Sequence, residues 1–265
     1  MKKILLGFIA IGLLTFVGCK KDDDAVTETS SDDGSTDTSD DTTETSSDDG
    51  STDSDSGDGA TDDSSIKYGE GATDIDGNTY KSVIIGEQEW MSENLRTTKH
   101  NDGTTIPNVT DNTEWSTFYT AAWCHYDNDN QYDTIYGKLY NWYAVETGKL
   151  CPTGWHVPTN AEWDVLTDFL TANGHNGTEG NALKATLGWY NNENGADDYG
   201  WNGLSGGSRD YGYFNYLGYF GSWWSSSESG RSYAEKFELF YGNDIFDDYP
   251  PDNKGKGNSV RCLKD

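Results

Sequence analysis

Between Lys20 and Ser65 the chain has no aromatic residue, and Ala25, Val26 and Ala60 are its only apolar side chains. Asp, Ser, Thr, Gly and Glu fill almost all the rest. Such a stretch cannot bury enough surface to offset the entropy of ordering it. It carries 17 acidic residues against two lysines, a net charge of −15, and like charges extend a chain. The segment TETSSDDGSTD occurs at Thr27–Asp37 and again, unchanged, at Thr43–Asp53. A repeat this short in a polar tract reads as a linker, not a solenoid. A flexible chain of this length spans roughly 35–40 Å. Residues 19–65 are therefore expected to be a disordered spacer, with calcium binding by the acid run as the lesser alternative. Anything folded must lie elsewhere.

The N-terminus supplies an address. Lys2 and Lys3 precede an uncharged, mostly apolar run from Ile4 to Val17, too short for the roughly 20 residues a membrane helix needs. Residues 1–18 thus read as a secretory signal peptide. The run ends on Val17-Gly18-Cys19, which resembles the lipobox of bacterial lipoproteins, with Phe16 in place of the usual Leu. The resemblance implies diacylglycerol on the Cys19 thiol and cleavage before it, so that acyl chains fix the protein to a membrane. Lys20-Lys21-Asp22-Asp23-Asp24 resembles the surface-export signal of Bacteroidetes-type lipoproteins. The expected location is the outer membrane, lipid-anchored and surface-exposed.

Residues 66–265 contain all 10 Trp and all 17 Tyr, enough for a large core. Their 14 basic and 29 acidic residues again give −15, which disfavours nucleic acid as a partner. In PTNAEWDVLTDFLTANG, Thr159 and Glu162 form a capping box, Val165, Leu166, Phe169 and Leu170 an apolar stripe, and Asn173-Gly174 a stop. Further helices are expected over Leu139–Glu146 and Ala182–Leu187. Asp76-Gly77 signals a turn. AEKFELF alternates Phe237 and Leu239 against Lys236 and Glu238, and NSVRCLKD reads as a terminal strand. The class is α+β with few helices, short strands and long loops.

GEQEWMSENL, YGKLYNWYAV, LCPTGWHVPTNAEWDVL, WWSSSE and NSVRCLKD, in that order, resemble the Fibrobacter succinogenes major paralogous (FISUMP) domain. That family is thought to be related to the formylglycine-generating-enzyme and C-type-lectin-like fold. HVPTNAEWDVL is similar to a helix of that superfamily and SVRC to its terminal strand. The resemblance implies a compact domain displaying loops on a small sheet, with no established activity. Formylglycine generation uses two neighbouring cysteines on copper, and no two cysteines here are neighbours. With Cys19 lipidated and the export route disulfide-permissive, a Cys151–Cys262 bridge is expected, leaving Cys124 as a small buried residue.

Catalytic candidates are thin. Gly203–Gly207, GLSGG, fits G-x-S-x-G, but Ser205 runs into Gly, Arg and Asp rather than a helix, and all four histidines precede it. There is no HExxH or CxxC zinc pattern. Asp127, Asp129 and Asp133 alternate in YDNDNQYD as weak calcium candidates; an acidic solvated loop is the simpler reading. RDYGYFNYLGYFGSWW offers rings suited to recognition surfaces. Tyr211, Tyr213, Tyr216 and Tyr219, spaced by glycines, are candidate ligand contacts. Trp223 and Trp224 are candidates too, though core support is their first reading. The expected function is non-catalytic binding of an extracellular glycan or protein, with no cofactor beyond possible calcium. A structural envelope lipoprotein without a ligand is the alternative, and an enzyme is the least favoured.

Overall fold

The computed structural model describes residues 66–265. The expected signal peptide, Cys19 and the acidic linker lie outside the described residues. The architecture is α+β: few helices, and many short strands in small antiparallel sheets. No helix among the described residues is long and apolar enough to cross a membrane.

One four-stranded sheet ties the two ends of this region together. Ser82–Ile85 and Gln88–Met91 form a hairpin, and Leu263–Lys264 sits between that hairpin and Trp155–His156. The turn at Gly86 has φ 63°, a left-handed value that glycine adopts without a Cβ penalty. Of NSVRCLKD only Leu263–Lys264 is strand. The residues before it thread the interior through single bridges, Asn258 to Tyr140 and Ser259 to Trp223.

The second four-stranded sheet is built on Phe220–Glu228 and Tyr233–Phe240, with Phe246–Asp248 and Asp252–Asn253 both paired to the latter strand. Side chains alternate across a strand, and at Trp223 and Trp224 this sheet is buried on both faces. Trp223, Phe237 and Leu239 enter one core cluster, and Trp224 and Ala234 enter another. The first cluster is an aromatic stack. Trp90 and Trp163 have ring centroids 4.6 Å apart, Trp201 and Trp223 4.9 Å, and Trp163 stacks on Phe237 at 5.1 Å.

Asn160–Leu170 is the longest helix, and its start is local chemistry. Thr159 accepts from the Glu162 N–H, and the Glu162 carboxylate returns to Thr159. The buried positions are Trp163, Leu166 and Leu170. Leu166 and Leu170 are buried as expected, but Val165 is exposed and Phe169 half-buried, so the core-facing stripe is turned toward Trp163. Gly174 (φ 99°) ends the wider turn that follows.

Two expected helices differ. Leu139–Glu146 splits into a strand, Leu139–Tyr140, and one turn of helix, Trp142–Val145, because Asn141 accepts from Ala144 N and restarts the chain. Ala182–Leu187 is replaced by Glu179–Leu183. At Lys184 the backbone turns extended and bridges to Gly203, while the buried ammonium donates to the carbonyls of Phe240 and Asn243. Cys151 and Cys262 are bonded, with Cα atoms 6.0 Å apart, and Cys124 is buried and free.

Candidate ligand-binding site

Past Trp224 the second face of the Phe220–Glu228/Tyr233–Phe240 sheet leaves the core. In strand register it carries Phe220, Ser222, Lys236, Glu238 and Phe240. Over Phe220, Lys236, Glu238 and Phe240 lies a depression of about 530 Å³, with Tyr216, Tyr219 and Tyr241 on its rim and Lys256 at its edge. That volume falls within the roughly 300–1,000 Å³ of small-molecule sites.

The floor is charged and nearly dry. Lys236 and Glu238 are 4% and 5% exposed. Lys236 Nζ lies 2.6 Å from Glu238 Oε1 and 3.9 Å from Asp252 Oδ2, and Lys256 Nζ lies 2.9 Å from the same Asp252 oxygen. Asn258 Nδ2 donates to Asp252 at 3.2 Å. Ser222 Oγ and Asn258 Oδ1, both fully buried, have no hydrogen-bond partner among the described residues. Withdrawing charges from water costs several kcal/mol per ion before pairing offsets it. Here pairing within the floor offsets that cost, and it leaves a fixed set of donors and acceptors at the bottom of a concavity, the arrangement that orients ligands in small-molecule sites. Burial also raises the Asp210 carboxyl above its usual range, against the opposing pull of Lys256.

The rim is aromatic and braced. Tyr219 stacks on Tyr190 at 4.4 Å, and Tyr241 meets both edge-on at 5.3 and 5.5 Å. Tyr216 leans on Phe220 at 5.1 Å. Its backbone sits at φ 66°, a left-handed conformation that is a genuine outlier for a bulky residue. The turn that holds it closes through Tyr219 N to Tyr216 O, 2.9 Å.

The four candidate tyrosines are exposed, but only two converge. Tyr216 and Tyr219 line the depression. Tyr211 and Tyr213 belong to the separate Ser208–Asp210/Tyr213–Asn215 hairpin, 69% and 67% exposed, and do not line it. Trp223 and Trp224 are corrected: both are fully buried, on opposite faces of one strand, and neither can touch a ligand. The three aspartates do not converge either. Asp129 caps Gln131 N, Asp133 pairs with Lys138 at 2.6 Å, and Asp127 is exposed. Among the described residues no three His, Cys, Asp or Glu are grouped to hold a metal ion. Ser205 is buried and donates to Gly188 O at 2.8 Å, so the nucleophile reading of GLSGG fails on geometry. Another depression, about 550 Å³, lies over Glu93, Asn94 and Asp197, but Tyr68 is the only ring in its lining.

Lys236, Glu238, Lys256 and Tyr241 were missed by sequence reasoning. The alternation in AEKFELF gave the right face but not what lies against it.

The sequence profile of the Fibrobacter succinogenes major domain matches residues 83–264. The chain belongs to that family. No curated protein and no solved structure matches it. In this Fibrobacter succinogenes major domain the motif segments meet in the core rather than at the depression. Arg261, from NSVRC, is fully buried. It donates to Asn94 Oδ1 of MSENL at 2.7 Å, to the Trp201 carbonyl and to Asn202 O at 3.2 Å, and its guanidinium lies 3.9 Å from the Trp201 ring centre. Trp223, from WWSSSE, donates to the same Asn94 oxygen at 2.8 Å. Burial lowers the Arg261 pKa to about 9.

Proposed function

We propose that this protein is a cell-surface lipoprotein whose domain binds an extracellular glycan or protein ligand and catalyses nothing. Cys19 would carry the lipid that holds it to the outer membrane, and the acidic segment to residue 65 would give the domain reach. Kinship with the C-type-lectin-like and formylglycine-generating-enzyme fold, suggested by the PTNAEW and SVRC segments, belongs to the same reading. The observation that carries the binding function is the aromatic-rimmed depression over Lys236 and Glu238. Rings give contact area at low entropic cost, and a few fixed polar groups orient a ligand.

The test is a broad glycan array probed with the full chain purified in detergent, with and without chelator. Specific binding supports the reading. A blank from folded protein, on glycans and on surface proteins alike, overturns it in favour of a passive envelope role. The anchor is tested separately: Cys19→Ala should abolish incorporation of labelled fatty acid and release the protein from the membrane fraction.

A further inference from the structure

The depression also carries information about what it would hold. Resting on the binding reading above, the geometry points to an uncharged saccharide as its occupant, held by Lys236 and Glu238 beneath the Tyr216 and Tyr219 rings with no bridging calcium ion.

Charge balance is the first argument. The two ammonium groups of the floor, Lys236 and Lys256, face two carboxylates, Glu238 and Asp252, at 2.6–3.9 Å. Lys254 nearby is likewise committed to Glu228. Asp210, facing Lys256, adds acidity rather than positive charge. Among the described residues no unopposed cation lines the depression to bind an anionic sugar, and a domain of net charge −15 repels one at a distance. A cationic ligand would have to displace lysines that are built into the floor. The same pairing removes the need for calcium, because the carboxylates that would coordinate it are already neutralised.

The second argument is donor and acceptor count. An ammonium offers three donors and a carboxylate about four lone-pair sites, so the Lys236–Glu238 pair keeps capacity on both sides after pairing with itself. A hydroxyl donates and accepts at once. Neighbouring hydroxyls on a ring therefore fit an ammonium beside a carboxylate, where a pure donor or a pure acceptor would satisfy one and leave the other bare. The rings supply the rest. Tyr216 is 61% exposed yet fixed against Phe220, and Tyr219 is stacked on Tyr190 and braced by an edge contact with Tyr241. These are preorganised flat faces for the C–H side of a sugar, which lowers the cost of binding.

The experiment compares neutral, uronic-acid-containing, sialylated and sulfated glycans, and a lysine-rich peptide, on the full chain, with affinities from calorimetry. Neutral glycans should bind, undiminished by chelator. Raising salt from about 0.1 to about 1 M, which cuts the screening length from ~10 to ~3 Å, should leave the affinity unchanged. Glu238→Gln and Lys236→Met should each weaken binding by about tenfold or more. Because those side chains are buried and could disturb folding, Tyr216→Gly is the decisive variant. Glycine accepts φ 66° without strain, so the melting temperature should hold while binding falls by a similar factor; Tyr211→Ala, outside the depression, should leave both the melting temperature and binding unchanged. Binding restricted to anionic glycans, or lost with chelator, overturns the inference while leaving glycan binding intact. Neutral-glycan binding that survives Tyr216→Gly and Glu238→Gln overturns the site. A blank across all glycans from folded protein overturns both this inference and the glycan arm of the proposed function.

Discussion

Breaking the Cys151–Cys262 bond should cost this domain a large share of its stability. The bond joins residues 111 apart in sequence. On the chain-entropy model, closing a loop of that length removes about 16 cal/mol/K from the unfolded ensemble, or about 4.8 kcal/mol at 25 °C. Whole domains are stable by only about 5–15 kcal/mol. With a urea m-value of about 2–3 kcal/mol/M, reduction should lower the unfolding midpoint by about 2 M. The assay is urea titration of the full chain, followed by tryptophan fluorescence, oxidised and in strong reductant. The Cys151→Ala/Cys262→Ala double variant should match the reduced protein apart from a small cavity cost, since both positions are buried in one core cluster. A midpoint shift below about 0.5 M in both arms would refute the loop-closure reasoning and show that the reduced chain stays constrained when unfolded. A large shift would also mean that the domain reaches full stability only in an oxidising compartment, as the proposed export route requires.

His156 bonds Asp265 through Nδ1 at 2.7 Å and Glu162 through Nε2 at 2.9 Å. Burial pulls its pKa down, but those two hydrogen bonds outweigh burial and raise it. Its stabilising contribution should be fully present below the unfolded value of about 6.5 and fade as pH climbs through the raised folded value; melting curves of the native chain and His156→Gln should differ most near pH 6 and converge toward pH 9 (both about). Burial pushes the Cys124 thiol up to about 12, so a thiol reagent should find Cys124 silent in the folded chain and reactive in urea; rapid native-state labelling there would contradict its placement. Arg261→Ala should destabilise the domain by on the order of 4 kcal/mol, from the cavity against Trp201 and the acceptors left bare on Asn94 and Asn202, and a loss under about 1 kcal/mol in chemical denaturation would count against the Arg261 network.

What the sequence made legible was local. The capping box at Thr159 and Glu162 needs two residues three positions apart and no partner from afar, and it formed as read. The Asp76-Gly77 turn is similar: it sits in a short hairpin held by Asp74, whose carboxylate accepts from the backbone N–H of Asp76 and Asn78. The false helix at Ala182–Leu187 failed because Lys184 answers to carbonyls some 56 and 59 residues on, which propensity cannot see. AEKFELF was legible as a strand. Its polar face was not legible as a floor, because a period of two says which side a residue takes and nothing about what covers that side. Asp252 and Lys256, which neutralise and enclose Glu238 and Lys236, arrive from a later strand and its turn. Glycine spacing did mark the tyrosines as displayed, but it could not separate Tyr216 and Tyr219, which share the depression, from Tyr211 and Tyr213, which do not.

The division between core and depression bears on what family membership can tell. Asn94, Trp223, Arg261 and Cys262 belong to the segments that carry the family resemblance, and each is tied into the interior: three in one hydrogen-bonded network, one in the disulfide, although Asn94 also lines the other depression, beside Glu93 and Asp197. None of them lines the aromatic depression. The depression's lining comes from the opposite face of the same sheet, from the Tyr216–Tyr219 turn and from Tyr241 and Lys256, outside the motif segments that carry the resemblance. A fold whose identifying residues are its structural joints can hold its shape while that floor and rim are rewritten, so the ligand must be read from Lys236, Glu238, Lys256 and the tyrosines themselves. In a protein this acidic, long-range attraction cannot select an anionic partner. Selection falls to short-range contacts inside a dry, charge-balanced concavity, where a mismatched hydroxyl leaves a buried ion bare and a matched one does not.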